Sequence, residues 1–579
     1  MHLVFQKFSS LLLKKTTLAL SLGLAFNCFA DSAKNENSCE LSPQIHIPLI
    51  KRMPNFPEPY HMRDWQKVTH DFDSFLYDLD AKGEHLPLMK VLPNELNPNS
   101  DEKAFGFTSY VGPIEKHQHS FEAIAVIGNV LSATFAGIDK SKGEYNWVEM
   151  CQQYFNKGNG RNLVLNMMDT DYDSFWYTVF PHILFYSLTD RYPNTGEMDE
   201  IMKITADKWY QAAYIMGGSD KATGFNFTYF DFDTNQPKYN NTWREPDSAA
   251  GIAWLMYSAY LKFDDEKYLK AAQWCLQDLD DKLLKENPYY EVQLPFGAYT
   301  AVRMNAEKGT HYDASKLINW CFEHSSEVRG DMGVVYKRWL DHDCHGLVGS
   351  LNRLPWRDRE GGYAFAMNTF AMAWPFVSML RYDDRYADSI GKWILNAANA
   401  SRLFYGGFHP PERQSSPEWK EDKNNAVAYE GLRQKWDKDE ELFASGDAVN
   451  HNWGYATDHG LYGSSYVGVY GGIIKKTNQK YILQLDCLAT DVFSKEAYPT
   501  YLYFNPYKET KSVKIELPKG EFDIYETRSN SFLARNVSGS SEIMIPADSS
   551  IVIVLAPAKG KLTKDKHKTL INGIIVDYR

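Results

Sequence analysis

The chain has 579 residues, with 62 Lys and Arg against 74 Asp and Glu, for a formal net charge of −12. That balance disfavours a general nucleic-acid binder, because phosphate contacts draw on Lys and Arg. Hydrophobic residues at 44%, with 15 Trp, 37 Tyr and 32 Phe, exclude a disordered chain, and the length predicts two or more domains, one of them large.

Residues 1–30 combine Lys7, Lys14 and Lys15 with the apolar run LALSLGLAF and the ending FNCFA. This pattern predicts a secretory signal cleaved after Ala30, a periplasmic or secreted protein, and no transmembrane segment once the signal is removed. Residues 31–114 are rich in Pro and Asn and predict an extended or small β region. The remaining cysteines have neither CxxC nor zinc-site spacing, and Cys275 and Cys321 fall in apolar helical patterns that predict burial.

Three segments then share a plan: DSFWYTVFPHILFYSLTDRYP with MDEIMKITADKWYQAAY, AAGIAWLMYSAYLKFDDEKYLKAAQWCLQDLDD, and GGYAFAMNTFAMAWPFVSMLRYDDRYADSIGKWILNAAN. Each pairs an almost wholly apolar helix with an amphipathic one carrying Trp209, Trp274 or Trp393. A helix apolar on most sides must be buried, whereas a striped helix can face water. Alternation of the two over residues 115–477 therefore predicts an (α/α)6 toroid of helical hairpins, with an open solenoid of repeats as the competing arrangement. After residue 478, segments such as KSVKIELPKG and IVIVLAP predict a C-terminal antiparallel β-sandwich domain over 478–560, with a solvated tail at 561–579.

In such a ring, the connections entering the inner helices open on one rim. LNMMDTDYDSFWY, YNNTWREPDSAAG, LPWRDREGGYAFAMN and GYATDHGLYGSSY occupy those positions and are dense in carboxylates, aromatics, Asn and Gly. Aromatic faces lie well against sugar rings, and glycosidic cleavage needs two carboxyl groups, one held protonated and one ionised. The catalytic candidates are therefore Asp247 and Asp169 on this rim, with Glu307 from GAYTAVRMNAEKGTHYD, a stretch that falls between weak helical signals and also holds Tyr299 and Arg303. Trp243, Arg244, Glu245, Tyr299, Arg303, Trp356, Arg357, Glu360, Asp447, His451, Tyr455, Asp458 and His459 are candidate substrate contacts. Asp247 also suits a helix N-cap, and Arg303 suits a structural ion pair with Glu307. Asp231, Asp233 and Asn235 resemble the start of a calcium loop but lack its central glycine and final glutamate, so no metal or cofactor is expected.

The paired apolar and amphipathic helices, acidic-aromatic turns, Trp-rich loops and β tail resemble bacterial α/α-toroid glycoside hydrolases and polysaccharide lyases across about residues 115–560. The resemblance implies an oligo- or polysaccharide substrate and an exported protein. Hydrolysis by paired carboxylates is the leading expectation. The alternatives are β-elimination from a uronic-acid glycan, with Tyr299, Tyr455, His451 or His459 as acid or base and Arg244, Arg303 and Arg357 on the substrate carboxylate, and glycan binding without turnover.

Overall fold

The computed structural model describes residues 42–112, 121–241, 243–280, 286–325, 331–350, 362–416, 419, 425–435, 441–446 and 459–579. The proposed signal and the candidates Trp356, Arg357, Glu360, Asp447, His451, Tyr455 and Asp458 lie outside these residues.

The helices are α1 (Trp65–Leu76), α2 (Ala123–Phe135), α3 (Phe175–Arg191), α4 (Met198–Ala213), α5 (Ser248–Phe263), α6 (Glu266–Asp280), α7 (Gln293–Lys308), α8 (Ala314–Phe322), α9 (Ala366–Met379), α10 (Ala387–Ala400) and α11 (Val467–Ile473). Among the described residues α2, α3, α5, α7, α9 and α11 pack each on the next, and α11 closes on α2. These inner helices are apolar nearly all round; in α5 every residue from Ser248 to Ala259 is buried. The outer helices α4, α6 and α8 bury one stripe against the ring and turn charge to solvent, whereas α10 is buried on nearly every side because C-terminal strands cover its outer face. The chain is thus an α/α toroid rather than an open solenoid.

The outer helix against α11 is α1, so the ring begins well before residue 115 and draws its closing partner from the stretch read as an extended cap. Asp64 caps α1 by accepting from the Lys67 N–H at 3.1 Å. Close approach of inner helices depends on small residues: a Cβ at Gly297 of α7 would collide with the Ala250 methyl of α5.

The ring is not a pore. The Trp176 and Phe180 rings lie 5.7 Å apart, Phe180 meets Tyr466 at 6.1 Å and Phe296 at 6.3 Å, and Phe296 meets Trp374 at 4.9 Å. Trp254 continues the stack to Phe493 at 6.1 Å. Aromatic side chains therefore fill the interior, leaving a ligand only the two ends.

A sheet absent from the sequence reading stands at the N-terminal end of α9. Its strands β1 (Met332–Val334), β2 (Val348–Ser350), β3 (Tyr363–Phe365), β4 (Gly431–Arg433) and β5 (Phe443–Ser445) form an antiparallel meander.

The C-terminal strands are β6 (Ile474–Lys476), β7 (Leu483–Asp486), β8 (Thr500–Asn505), β9 (Lys511–Glu516), β10 (Phe522–Glu526), β11 (Ser531–Val537), β12 (Ser540–Ile545), β13 (Ser549–Pro557), β14 (Leu562–Asp565), β15 (Lys568–Ile571) and β16 (Ile574–Asp577). A sheet of order β6-β7-β8-β13-β10-β11 packs one face on α10, where Gly391 lets the Phe504 side chain come close. Its other face shares a core with the antiparallel β9-β12 pair, including Tyr503, Val513, Ile543 and Ile553. The expected solvated tail is instead the β14-β15-β16 meander, whose Tyr578 ring lies 5.1 Å from that of Tyr382. Among the described residues no helix is long and apolar enough to cross a membrane.

Candidate functional site

The rim at the N-terminal ends of the inner helices gathers carboxylates and aromatics, but with different roles from those the sequence suggested. Glu245 is 1% exposed. Its carboxylate accepts from the Ser174 hydroxyl and the Trp176 N–H, both at 2.7 Å, and so caps α3 from the connection entering the neighbouring α5. Ser174 is the N-cap residue of α3, its hydroxyl also accepting from the Trp176 N–H. Asp247 occupies the N-cap position of α5 but does not cap it; the side chain instead accepts from the Tyr290 N–H at 3.2 Å. It therefore ties the start of α5 to the turn entering α7. Arg244 donates to the Asn226 carbonyl at 2.6 Å and lies over the Tyr239 ring. Trp243 stays 39% exposed, with its ring 6.2 Å from that of Tyr290.

Asp169 is exposed and accepts from the Asn159 amide at 3.2 Å. Arg161 ties Asp171 to Asp233. Asp231 and Asn235 belong to a β-hairpin whose Asp231 carboxylate accepts from the Asp233 and Thr234 N–H groups at 3.0 Å. Among the described residues no group of three or more His, Cys, Asp or Glu side chains has a metal-binding arrangement.

Tyr299, Arg303 and Glu307 do not belong to this rim. The stretch GAYTAVRMNAEKG is continuous helix, so these residues line one face of α7 at four-residue steps, toward its C-terminal end. From the start of α7 to Glu307 the helix rises roughly 20 Å, more than twice the separation at which a carboxyl pair flanks a glycosidic bond. Arg303, 2% exposed, donates to Glu307 at 3.1 Å, the Tyr299 hydroxyl at 2.8 Å, and the Val492 and Phe493 carbonyls at 2.9 and 2.6 Å. Asp491 accepts from Tyr299 at 2.6 Å and Tyr382 at 3.0 Å and pairs with Arg381. This buried network fastens the β7–β8 connection to the C-terminal half of α7. It corrects the assignment of Glu307 as catalytic partner of Asp247, and of Tyr299 and Arg303 as substrate contacts.

His459 is likewise buried, its ring stacked 4.6 Å from that of Tyr429, and burial, with His85 nearby, lowers its pKa to about 3. It is 3% exposed, which removes it from the substrate contacts and from the candidate bases.

Two further half-buried carboxylates come from connections not among the four rim segments compared in the sequence, SFEAIAV before α2 and NPYYEVQLP before α7. Glu122, half-buried, accepts from the Asn166 amide at 2.8 Å. Glu291, also half-buried, holds a left-handed φ of 54°, a conformation that costs a non-glycine residue energy. In the ring order α2 and α7 stand opposite one another, with α3 on the arc between them. Tyr177 in the first turn of α3 is 40% exposed. Burial of its surroundings and then Glu122, Glu291, Asp173 and Glu245 raise its pKa, so the phenol stays protonated. Tyr110 and Tyr462 stand near it, their pKa values raised first by burial, and then by Glu430 and Glu122 for Tyr110 and by Glu122 for Tyr462. The rule that found WREPD, applied to all six entering connections, points to Glu122 and Glu291 as well.

No family model matches the chain, and no curated protein matches its sequence. Among solved structures, an unsaturated glucuronyl hydrolase mutant from Streptococcus agalactiae aligns at 11% identity and TM-score 0.37, covering 75% of this chain and 97% of that one. A family 76 glycoside hydrolase from a bovine Bacteroides thetaiotaomicron strain aligns at 13% identity and TM-score 0.39, covering 71% and 77%. Cellobiose 2-epimerase from Bacillus thermoamylovorans B4167 aligns at 9% identity and TM-score 0.37, covering 70% and 98%. The closed ring of inner helices defines the fold independently of these likenesses.

Proposed function

We propose that the protein is an exported glycoside hydrolase that binds an oligo- or polysaccharide at the mouth of the toroid and cleaves it between Glu122 and Glu291. The observation that carries this reading is the entry of two half-buried carboxylates from opposite sides of the ring, both close enough to raise the pKa of the water-accessible Tyr177. Hydrolysis needs one carboxyl group to protonate the leaving oxygen and another to activate water or attack carbon. Tyr177 and Trp243 offer exposed aromatic surface for sugar rings. Asp247 acts through the turn it holds: its bond to the Tyr290 N–H fixes the residue next to Glu291. Asp169 stands outside this pair, as a solvent-facing contact for extended chains.

β-Elimination is less well supported. Tyr110, Tyr177 and Tyr462 have raised pKa values and are poor bases at neutral pH. The N-terminal lysines followed by LALSLGLAF support export. The test is incubation of the protein with neutral, basic and acidic glycans, followed by product masses. Fragments heavier by one water at a new reducing end are expected. Unsaturated fragments would replace hydrolysis by elimination, and binding without product would leave a glycan-binding protein.

A further inference from the structure

Building on that reading of the mouth, we infer that the sugar seated on Tyr177 carries a protonated amine, making the substrate class a glycan of de-N-acetylated hexosamine. Tyr177 is 40% exposed at the mouth, although it sits in the first turn of a core helix. Among the described residues the charges bearing on its phenol are of one sign, from Glu122, Glu291, Asp173 and Glu245. Glu122 accepts from the neutral Asn166 amide and lies beside the neutral Tyr462 hydroxyl. Asp173 is exposed, and among the described residues its main-chain carbonyl alone is taken, by the Asn240 amide at 3.0 Å. Among the described residues no Lys or Arg pairs with either carboxylate, and Arg161, on the same side, is committed to Asp171 and Asp233. Next to Tyr177, with rings 4.9 Å apart, Trp176 is 7% exposed and its indole N–H has no acceptor among the described residues, a donor suited to a sugar oxygen.

An aromatic face beside uncompensated carboxylates is the chemistry that recognises an ammonium group. A uronic acid would place like charge against Glu122 and Asp173, and a neutral sugar would leave both charges unmatched. A hexosamine at the Tyr177 position meets both demands, with its ammonium over the ring face between the two carboxylates and its hydroxyl oxygens toward Trp176.

The test uses three β-1,4-linked hexasaccharides that differ only at C2: glucosamine with a free amine, N-acetylglucosamine with an acetamide, and glucose with a hydroxyl. Binding to the full chain is measured by calorimetry at pH 6 in low and high salt. The amine form is expected to bind about tenfold more tightly than either of the others, with the preference shrinking in high salt. Asp173→Asn and Glu122→Gln should each reduce the preference without lowering the melting temperature. Equal affinity for all three, or a preference for the acetamide or hydroxyl form, overturns the amine assignment and leaves the glycan reading standing. Turnover of some other glycan with no binding of the amine form also overturns it. Failure to bind or cleave any glycan removes both.

Discussion

Asp577 gives the structure a pH dependence that can be worked out in advance. It ends β16, is 4% exposed, and accepts from the Arg579 N–H at 3.0 Å. Asp384 of the ring and Glu526 of β10, both buried, stand close by. Burial first, and then the Asp384 charge, raise the Asp577 pKa from 3.8 to about 7, with Arg579 opposing. Between those values the folded protein keeps a proton that the unfolded chain releases. Stability therefore falls as pH rises through about 4 to 7 and levels off above that window. A shift of about 3 units corresponds to about 4 kcal/mol as a ceiling. With an unfolding entropy of about 2.1 cal/mol/K per residue over a ring and sheet of roughly 540 residues, each kcal/mol moves the melting temperature by about 1 °C. Asp577→Asn stays neutral at every pH and keeps an acceptor for the Arg579 N–H. Scanning calorimetry at a fixed rate should find it melting within about 1 °C of the parent at pH 4.5 and about 4 °C above it at pH 8. An unchanged pH profile in the variant, or a lower melting temperature than the parent at pH 8, would refute the assignment of a buried, protonated Asp577.

Other consequences follow from the packing. Glu245→Ala strands the buried Trp176 N–H and should cost about 1–3 kcal/mol in urea unfolding, whereas an exposed acidic residue would cost almost nothing. Arg303→Ala leaves Asp491 and Glu307 buried with one cation fewer; a loss of about 3–5 kcal/mol is expected, with protease sensitivity appearing at residues 491–493 as the C-terminal strands loosen. His459 should show no titration by NMR between pH 5 and 8, because burial holds its pKa at about 3; a midpoint near 6.5 would place it in solvent.

The ring was legible because apolar wrap and apolar stripe differ over a whole helix, and the buried Trp209 and Trp393 mark the same inward position in two hairpins. Closure was less so: α1 carries a clear stripe in WQKVTHDFDSFL, but it lies among prolines that mask its period. Strands of three residues, such as Tyr363–Phe365, are too short to show alternation, so the meander before α9 left no sequence signal. The lysine-rich end of the chain read as solvated because β14 is an exposed strand; burial starts only at β15. At the site, sequence identified the rim but not the depth of its residues. Glu245 and Asp247 are the type of residue expected at a sugar cleft, yet both spend their carboxylates on backbone N–H groups. Glu307 was misplaced because a weak helical signal hid the full length of α7, and with it the distance between the two ends of the ring.

The central claim is that Glu122 and Glu291 cleave a glycan at the mouth. Its most direct test is single-turnover and steady-state kinetics of Glu122→Gln and Glu291→Gln on the best substrate from the product survey, with binding measured alongside. The account predicts that each variant binds that substrate within a few fold of the parent and loses more than about 100-fold in kcat. Retained turnover in both variants would contradict it and move the chemistry away from these two carboxylates.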